Sequence, residues 1–278
     1  MSKKTKEPRL KYVETVEPYK LKTSQKFYCA VKTLIDFLIA LIAIIVLSPL
    51  FLIVAIAIKI DSKGPVFFVQ KRIGKNGKEF DCIKFRSMSI KANHDCPTYE
   101  YNGVESYITR VGKVIRKLSI DELPQLFNIL NFKMYLISYR PVVPCETELH
   151  EARNELNVYQ IKPGLTGWAQ VNGRDVLAAH PTLKARYDAY YLHNISLLLD
   201  IKIFFLTIFK ILKKSDIEEG VITETPAIAA EEAAFAEVAA ADGSADLAPA
   251  EETPVFDEAD KTVTAFDSSS DATTPKAV

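Results

Sequence analysis

FLIALIAIIVLSPLFLIVAIAI, residues Phe37–Ile58, is the stretch that decides how this chain folds. It runs for 22 residues without a charge, which is about the length of an α-helix that spans the hydrocarbon core of a bilayer. A secretory signal peptide has a shorter apolar region and a small-residue cleavage site, and this stretch fits neither description. The sequence therefore predicts a helix that enters a membrane.

Ser48 and Pro49 fall in the middle of this stretch. Proline removes a backbone hydrogen bond and kinks a helix, and a neighbouring serine hydroxyl can satisfy a backbone group that is freed. The flanks on both sides are basic, whereas a spanning helix carries Lys and Arg mainly on its cytoplasmic side. Two topologies remain open: an ordinary kinked transmembrane helix, and a re-entrant membrane helix hairpin over residues 27–62, broken at Ser48-Pro49. We favour the hairpin, because it puts both basic flanks on one membrane face.

Charge divides the chain into a basic body and an acidic tail. Residues 1–215 contain 33 basic and 19 acidic side chains, and residues 216–278 contain 2 basic and 16 acidic ones. A basic body suits polyanions such as anionic lipid, nucleotide phosphate or nucleic acid. The tail has few large apolar residues and is predicted to be disordered, and residues 1–26 form a basic arm. The long apolar run and the lack of interleaved aromatic and basic residues argue against a nucleic-acid partner.

The four cysteines follow neither a zinc-site nor a disulfide pattern. No CxxC occurs, and the four histidines are not at zinc-finger spacing. We interpret His94-Asp95-Cys96, the nearest approach to a ligand cluster, as part of a surface loop. Reduced thiols facing the cytosol are therefore expected.

The segment after the membrane element predicts a β-hairpin. Val66–Arg72 and Glu79–Phe85 flank Gly74-Lys75-Asn76-Gly77, in which Asn-Gly supplies the turn. The last predicted helix is interrupted by charges, so it fits a position at the membrane surface, with a core helix as the alternative. The predicted fold class is α+β: a re-entrant membrane helix hairpin, a small β-hairpin and several amphipathic helices at the membrane interface. Helices are predicted over residues 108–118, 121–130, 146–156, 182–193 and 197–212, and a structured loop over 163–174.

The chemistry is predicted to lie in Ser119-Ile120-Asp121-Glu122-Leu123-Pro124-Gln125, where two carboxylates are adjacent near the start of a helix. Proline belongs in a first helical turn. The N-cap is either Asp121, which we favour, or Ser119 in a capping box with Glu122. Such a pair can merely cap a helix. The surrounding cations instead suit a Mg²⁺-bound phosphoryl group; they are Arg110, Lys113, Arg116, Lys117 and Arg140.

Several motifs coincide, in order, with one protein family. Over about residues 27–213, the chain resembles the bacterial sugar transferases that act as monotopic polyprenyl-phosphate phosphoglycosyl transferases. The combination is highly specific, although the single pieces are not. The matching pieces are Ser48-Pro49, Gln70–Gly74 through Lys84–Met88, Ile108–Gly112 through Asp121–Gln125, Lys162–Gln170, and Tyr187-Asp188 to Asp200.

The resemblance implies an enzyme that moves a sugar 1-phosphate from a UDP-sugar onto polyprenyl (undecaprenyl) phosphate and releases UMP. It implies that Asp121 is the nucleophile, forming an aspartyl-phosphosugar intermediate, and that Glu122 supports Mg²⁺ beside it. Residues 63–215 would form the catalytic domain, facing the cytoplasm at the bacterial inner membrane. The candidate phosphate contacts are Lys84, Arg86, Arg116, Arg140 and, nearer the nucleotide, Arg174.

The implied pathway step is the initiation of a surface polysaccharide or glycoconjugate, such as exopolysaccharide, capsule, O-antigen or a glycoprotein glycan. The implied partners are the UDP-sugar, polyprenyl phosphate and the lipid bilayer, and the sequence leaves open other glycan-assembly enzymes and a homodimer. The family usually reads Gly-Pro-Arg-Pro where this chain has Ser138-Tyr139-Arg140-Pro141. It often carries an arginine pair where this chain has Asn157-Val158-Tyr159. These departures motivate an alternative, a catalytically impaired membrane-anchored scaffold of the same fold.

Overall fold

One long helix, α1 (Thr23–Asp61), carries the apolar stretch. The computed structural model describes residues 18–90, 107–173, 177 and 180–213, and they combine helices with short strands, as the α+β prediction requires. Within these residues, α1 is the helix long and apolar enough to cross a bilayer. Most of its large apolar side chains are exposed, which distinguishes it from the core helix of a soluble domain. The predicted basic arm and acidic tail lie outside the described residues, apart from residues 18–26 of the arm.

The helix continues through Ser48 and Pro49, where we predicted a break. Pro49 has no N–H to give to the carbonyl four residues earlier. That carbonyl belongs to Ile45, and the Ser48 hydroxyl donates to it at 2.8 Å. The expectation that serine compensates for proline is therefore confirmed, and this compensation lets the helix remain continuous. The hairpin topology stays a prediction.

Polar side chains tie α1 to the rest of the fold near both of its ends. Asp36 accepts a hydrogen bond from the backbone N–H of Leu136 at 3.0 Å. At the far end, Asp61 accepts one from the backbone N–H of Val111, also at 3.0 Å. Arg86 donates to the carbonyls that follow the helix. Both flanks of the apolar stretch therefore rest on the same folded body.

The predicted β-hairpin is confirmed. Strands β1 (Phe67–Ile73) and β2 (Glu79–Phe85) pair antiparallel, with Phe67 opposite Phe85 and Ile73 opposite Glu79. The turn is a short 3₁₀ segment, Lys75–Gly77, in which Asn76 has φ +58°. Asparagine tolerates this left-handed conformation better than most residues do, which is why the Asn-Gly pair could be interpreted from the sequence.

The remaining elements follow the predicted helices closely, with one correction. Residues 163–174 are not simply a loop: they form a strand that pairs in parallel with β3, followed by a short helix. Glycine makes this pairing possible, because a Cβ on Gly167 would lie only 1.8 Å from the carbonyl oxygen of Ser138. The elements are α2 (Arg110–Lys117), α3 (Gln125–Leu130), β3 (Tyr135–Ile137), α4 (Thr147–Glu155), β4 (Gly164–Thr166), α5 (Trp168–Gly173), α6 (Pro181–His193) and α7 (Leu197–Lys213).

The main core lies where α4 and α6 pack beside the β3–β4 pair. A buried ion pair stands within it: Arg153 donates to Asp188 through Nη2 at 2.6 Å and through Nε at 3.0 Å. The ring of Tyr139 lies 4.9 Å from the Arg153 guanidinium. Charge is therefore buried here, but it is paired, as buried charge must be.

Helix α7 is not a core helix within the described fold. It exposes large apolar side chains along much of its length, with Leu198 at 80% and Phe205 at 64% exposure. Helix α1 exposes large apolar side chains as well, and exposed apolar side chains in such numbers are typical of an interaction site. The predicted position at a membrane interface accounts for this surface and stays a prediction.

Candidate active site

The two adjacent carboxylates lie in a 3₁₀ turn, Ile120–Glu122, between α2 and α3. The favoured N-cap, Asp121, is wrong, whereas Ser119 does occupy the N-cap position of the 3₁₀ turn, although its side chain makes no capping hydrogen bond. The α-helix α3 begins only at Gln125, with Pro124 at its N-cap position. The chain leaves α2 through Ser119, whose φ of +54° is left-handed. Ser119 therefore separates α2 from the 3₁₀ turn, and both acids lie in this turn, before α3 begins.

Glu122 is held by two cations from different elements. Arg140, which follows β3, donates to both of its carboxylate oxygens, to Oε2 at 2.9 Å and also to Oε1. Lys84, at the end of β2, donates to Oε1 at 3.2 Å. Bidentate pairing of this kind fixes orientation as well as charge. Glu122 therefore organises two cations beside its neighbour.

Asp121 differs from Glu122 in its pKa and in its hydrogen bonding. The pKa of its carboxyl is raised to about 6, because burial and the adjacent Glu122 carboxylate outweigh Lys84, Arg116 and Arg140, which lower it. Among the residues that the structure describes, none donates a hydrogen bond to the Asp121 carboxylate. A partly desolvated, unbonded carboxylate near cations has the character of a nucleophile.

The core residue Arg153 positions the backbone of Arg140. Its backbone carbonyl accepts a hydrogen bond from Arg153 Nη2 at 3.1 Å, and Arg153 is fixed in turn by Asp188. Burial lowers the pKa of the Arg140 guanidinium, but the Glu122 carboxylate more than offsets this and the pKa is raised. Arg140 is therefore a permanent cation on a rigid support.

The unusual Ser138-Tyr139 pair fits this arrangement. The Tyr139 hydroxyl donates to the Ile161 carbonyl at 3.3 Å, and its ring packs on Arg153. Ser138 is fully buried between the glycines of the β4 segment. The geometry that joins Arg140 to Glu122 is thus kept without the Gly-Pro dipeptide that is usual in the family.

Of the other predicted site residues, Arg116 lies near Asp121 and Arg86 lies at the end of α1. Arg116 lies near enough to Asp121 to lower its pKa. Arg86 is not brought to the site: its guanidinium is buried and donates to the carbonyls of Ser62 and Lys63 at 2.7 and 2.9 Å, where it closes the end of α1. Arg174 lies outside the described residues. Ser48 and Pro49 lie within α1.

Two residues near the site were not predicted as site residues. Arg72 donates to the carbonyl of Pro141 at 3.3 Å and to Gln70 at 2.7 Å, so it steadies the segment that carries Arg140. Burial lowers the pKa of the Arg72 guanidinium. Gln170 has both polar side-chain atoms buried with no hydrogen-bond partner among the described residues. Arg72 could have been recognised as one of the cations of the predicted hairpin, and Gln170 as the last residue of the matched motif Lys162–Gln170.

A cavity of about 610 Å³ opens beside the carboxylates and extends between α1 and α7. Ser119, Glu122 and Arg140 line it at one place, and most of the rest of its wall is apolar. Glu122 is therefore reached from a space bounded by the two helices that expose apolar surface, and Asp121 is its neighbour in the chain.

The residues around the turn fit a magnesium ion of the kind used in phosphoryl transfer. Mg²⁺ in such sites is commonly held by one or two carboxylates, with substrate phosphates and water completing its shell. Asp121 and Glu122 supply two adjacent carboxylates. The described residues contain no group of three or more His, Cys, Asp or Glu side chains suited to a metal, so a metal held by protein ligands alone is not indicated there.

Comparison with known proteins places the site in a family context. The sequence model of a family described as bacterial sugar transferase matches residues 27–214. One relative, a UDP-N-acetylgalactosamine-undecaprenyl-phosphate N-acetylgalactosaminephosphotransferase of Aeromonas hydrophila, is 43% identical over 66% of this chain and 44% of its own length. A UDP-glucose:undecaprenyl-phosphate glucose-1-phosphate transferase of Xanthomonas campestris is 39% identical over 67% of this chain and 40% of its own length.

A shorter relative matches over most of its length. The exopolysaccharide production protein ExoY of Sinorhizobium fredii is 38% identical over 62% of this chain and 81% of its own length. The chain thus spans less than half of the two longer relatives and most of the shorter one. The family match, residues 27–214, begins within α1 and reaches the end of α7.

Proposed function

Since this chain belongs to the bacterial sugar transferase family, we propose that it transfers a sugar 1-phosphate from a UDP-sugar to undecaprenyl phosphate and releases UMP. The names of its relatives support this substrate pair. The observation that carries the proposal is the contrast within the acidic pair: Glu122 is bound by Arg140 and Lys84, while Asp121 beside it is left for the substrate.

The first step uses Asp121 as a nucleophile. Its carboxylate oxygen attacks the phosphorus that bears the sugar, a phosphorus–oxygen bond forms, and the bond to the bridging oxygen breaks. UMP leaves with that electron pair, and an aspartyl-phosphosugar remains. In the second step an oxygen of the acceptor lipid phosphate attacks the same phosphorus, and Asp121 leaves as a carboxylate.

Cations make an attack by one anion on another feasible. Arg140 and Lys84 are held beside the carboxylates, and Arg116 adds a third positive charge near Asp121. Mg²⁺ would be held by Asp121 and Glu122 together with the substrate, and when bound it neutralises phosphate charge. Glu122 then serves mainly to keep the cations aligned.

The location proposed is the bacterial inner membrane, with the catalytic body on the cytoplasmic face. The long apolar helix and the exposed face of α7 support association with a bilayer. The role proposed is to start the synthesis of an exopolysaccharide or a related surface glycan, in keeping with the exopolysaccharide relative. Other glycan-assembly enzymes would then act on the product.

The decisive experiment measures UMP release by the purified full chain in lipid nanodiscs with undecaprenyl phosphate, Mg²⁺ and a panel of UDP-sugars. A UDP-sugar labelled at the sugar-bearing phosphate, supplied without acceptor, tests the intermediate. We expect label on the wild-type protein and none on Asp121→Asn. Absence of label and of UMP with every UDP-sugar would instead favour the scaffold alternative motivated by Ser138-Tyr139.

A further inference from the structure

The cavity between α1 and α7 is long and mainly apolar, which a sugar nucleotide does not require. Its walls include Ile35 and Ile39 on α1 and Ile201, Phe204 and Ile208 on α7. Burying the hydroxyls and phosphates of a UDP-sugar against such side chains would cost free energy, because they would lose their hydrogen bonds. The apolar length of the cavity therefore suits a hydrocarbon.

The polar side chains along this wall mostly satisfy one another. The ammonium of Lys32 donates to Asp200 at 2.6 Å and lies 3.4 Å from Asp36. Tyr28 donates its hydroxyl to Asp200 at 2.7 Å. These groups are paired across the seam between α1 and α7, so they do not need a ligand. Most of the cavity wall therefore presents apolar side chains, or polar groups that are already paired, to a ligand.

One part of the cavity is different, because a guanidinium and a buried amide without a hydrogen-bond partner among the described residues line it. Glu122 and Arg140 line it. Gln170 also lines it, and both polar atoms of its amide are buried without a hydrogen-bond partner in the described part of the chain. Gln170 lies near the segment that leads to Arg140, since a Cβ on Gly167 would lie 2.8 Å from its Oε1 and 1.8 Å from the carbonyl oxygen of Ser138. An amphiphile with one anionic end matches this polarity.

We propose that this cavity binds the prenyl chain of the acceptor lipid along α7, with the lipid phosphate at Arg140 and Gln170. The proposal rests on the proposed function, since it supplies the site for the second substrate. The outer faces of α1 and α7 are apolar and exposed, so a chain in the surrounding hydrocarbon reaches the cavity between them without crossing water. The acceptor then presents its phosphate beside Asp121, where the phosphosugar is formed.

Two substitutions on the same helix test the site. Ile201 lines the cavity and is 44% exposed, whereas Leu198, one turn earlier, does not line it and is 80% exposed. We expect Ile201→Trp to fill part of the cavity and to raise the KM for undecaprenyl phosphate about tenfold or more. Leu198→Trp, the matched control, should leave this KM unchanged. A short acceptor, geranyl phosphate, should be affected less by Ile201→Trp.

Labelling of the protein by the UDP-sugar in the absence of acceptor separates a folding defect from a binding defect. Ile201→Trp should label as the wild type does, because the first step does not use the apolar part of the cavity. An equal rise of KM in both variants, or an unchanged KM in Ile201→Trp, would overturn the proposal.

Crosslinking decides the question even if the chain proves inactive. A benzophenone-bearing prenyl phosphate in nanodiscs should crosslink to Ile201 and Ile208, and undecaprenyl phosphate should compete. Crosslinks at Leu198 instead, or equal capture of an ordinary phospholipid probe in the cavity, would show annular lipid there and refute the acceptor site. Failure of turnover with correct crosslinks would refute the proposed function alone.

Discussion

Two neighbouring arginine–carboxylate pairs in the described fold differ mainly in how far their side chains are exposed to solvent. In the core pair, Arg153 and Asp188 have 0% and 1% of their side chains exposed. In the site pair, Arg140 and Glu122 have 22% and 12% exposed. A hydrogen bond from Arg153 to the carbonyl of Arg140 joins them.

This difference in exposure gives two ion pairs of the same kind different roles. The core pair is closed to solvent and ligand, so its charges act only on the structure around them. The site pair borders a cavity and lies beside Asp121, so its charges also act on whatever enters. We expect changes in the first pair to affect the free energy of unfolding and changes around the second to affect turnover.

The largest effect should come from Asp121→Asn, on the turnover side of the comparison. Without a carboxylate nucleophile, UMP release should fall on the order of 10⁴-fold or more. The unfolding temperature should stay close to that of the wild type, because the side chain has no hydrogen-bond partner among the described residues. Turnover near wild type would refute the assignment of the nucleophile.

Asp188→Asn should have the largest effect on stability. It leaves the Arg153 charge buried without its partner, which costs about 3–5 kcal/mol. Thermal unfolding in detergent, followed by the fluorescence of Trp168, measures this. The double variant Arg153→Met/Asp188→Leu is the control, and it should recover much of the loss, since no unpaired charge remains. Equal instability of the single and double variants would contradict the role of the unpaired charge.

Arg140→Ala removes the arginine of the site pair, and we expect it to affect turnover more than stability. Loss of one positioned cation at a reacting phosphate should slow turnover about 10²-fold, with a smaller change in unfolding than Asp188→Asn causes. Arg140→Lys, which keeps the charge but not the bidentate geometry, should recover only part of the rate. Full recovery would show that charge alone matters at this position.

The pH dependence tests the coupling between the two acids. Asp121 must be ionised to attack, so kcat/KM of the wild type should fall as the pH drops below about 6. Glu122→Gln removes the neighbouring negative charge, lowers the pKa of Asp121 and should move this acid limb to lower pH, even though the maximal rate falls. A limb that stays in place would show that burial alone sets the pKa.

The smallest effect should come from a third ion pair, at the surface. Lys71 and Asp81 are joined at 2.8 Å but are 60% and 59% exposed. Solvent screens such a pair, so Lys71→Ala should change neither the unfolding temperature nor turnover measurably. A clear loss of activity would mean that the hairpin contacts substrate through this face.

The parts of the fold that could be predicted from the sequence depend on neighbours in the chain. Asn76-Gly77 determines a turn locally, and the uncharged apolar run Phe37–Ile58 indicates α1. The adjacent acids and the cation Arg140 could be proposed as a site by charge and by family resemblance. These signals need no knowledge of the tertiary structure.

The parts that could not be predicted depend on long-range partners. Arg86 and Lys84 are two residues apart, yet one closes the end of α1 and the other binds Glu122. The left-handed Ser119 is followed by a separate 3₁₀ turn, so α3 begins only at Gln125 and not at Asp121 as predicted. Nothing in the sequence around Arg153 indicates that its partner is 35 residues away. Packing, and not local preference, decides these roles.

The contact of Lys32 with Asp200 has a consequence for the order of assembly. The two residues are 168 positions apart, so α1 is synthesised long before its lysine can meet the second carboxylate. Until α7 leaves the ribosome, Lys32 has only Asp36, one helical turn away, to balance it. We expect a chain that stops short of residue 200 to lack this contact between α1 and α7, so the two helices are joined here only after the last helix has been synthesised.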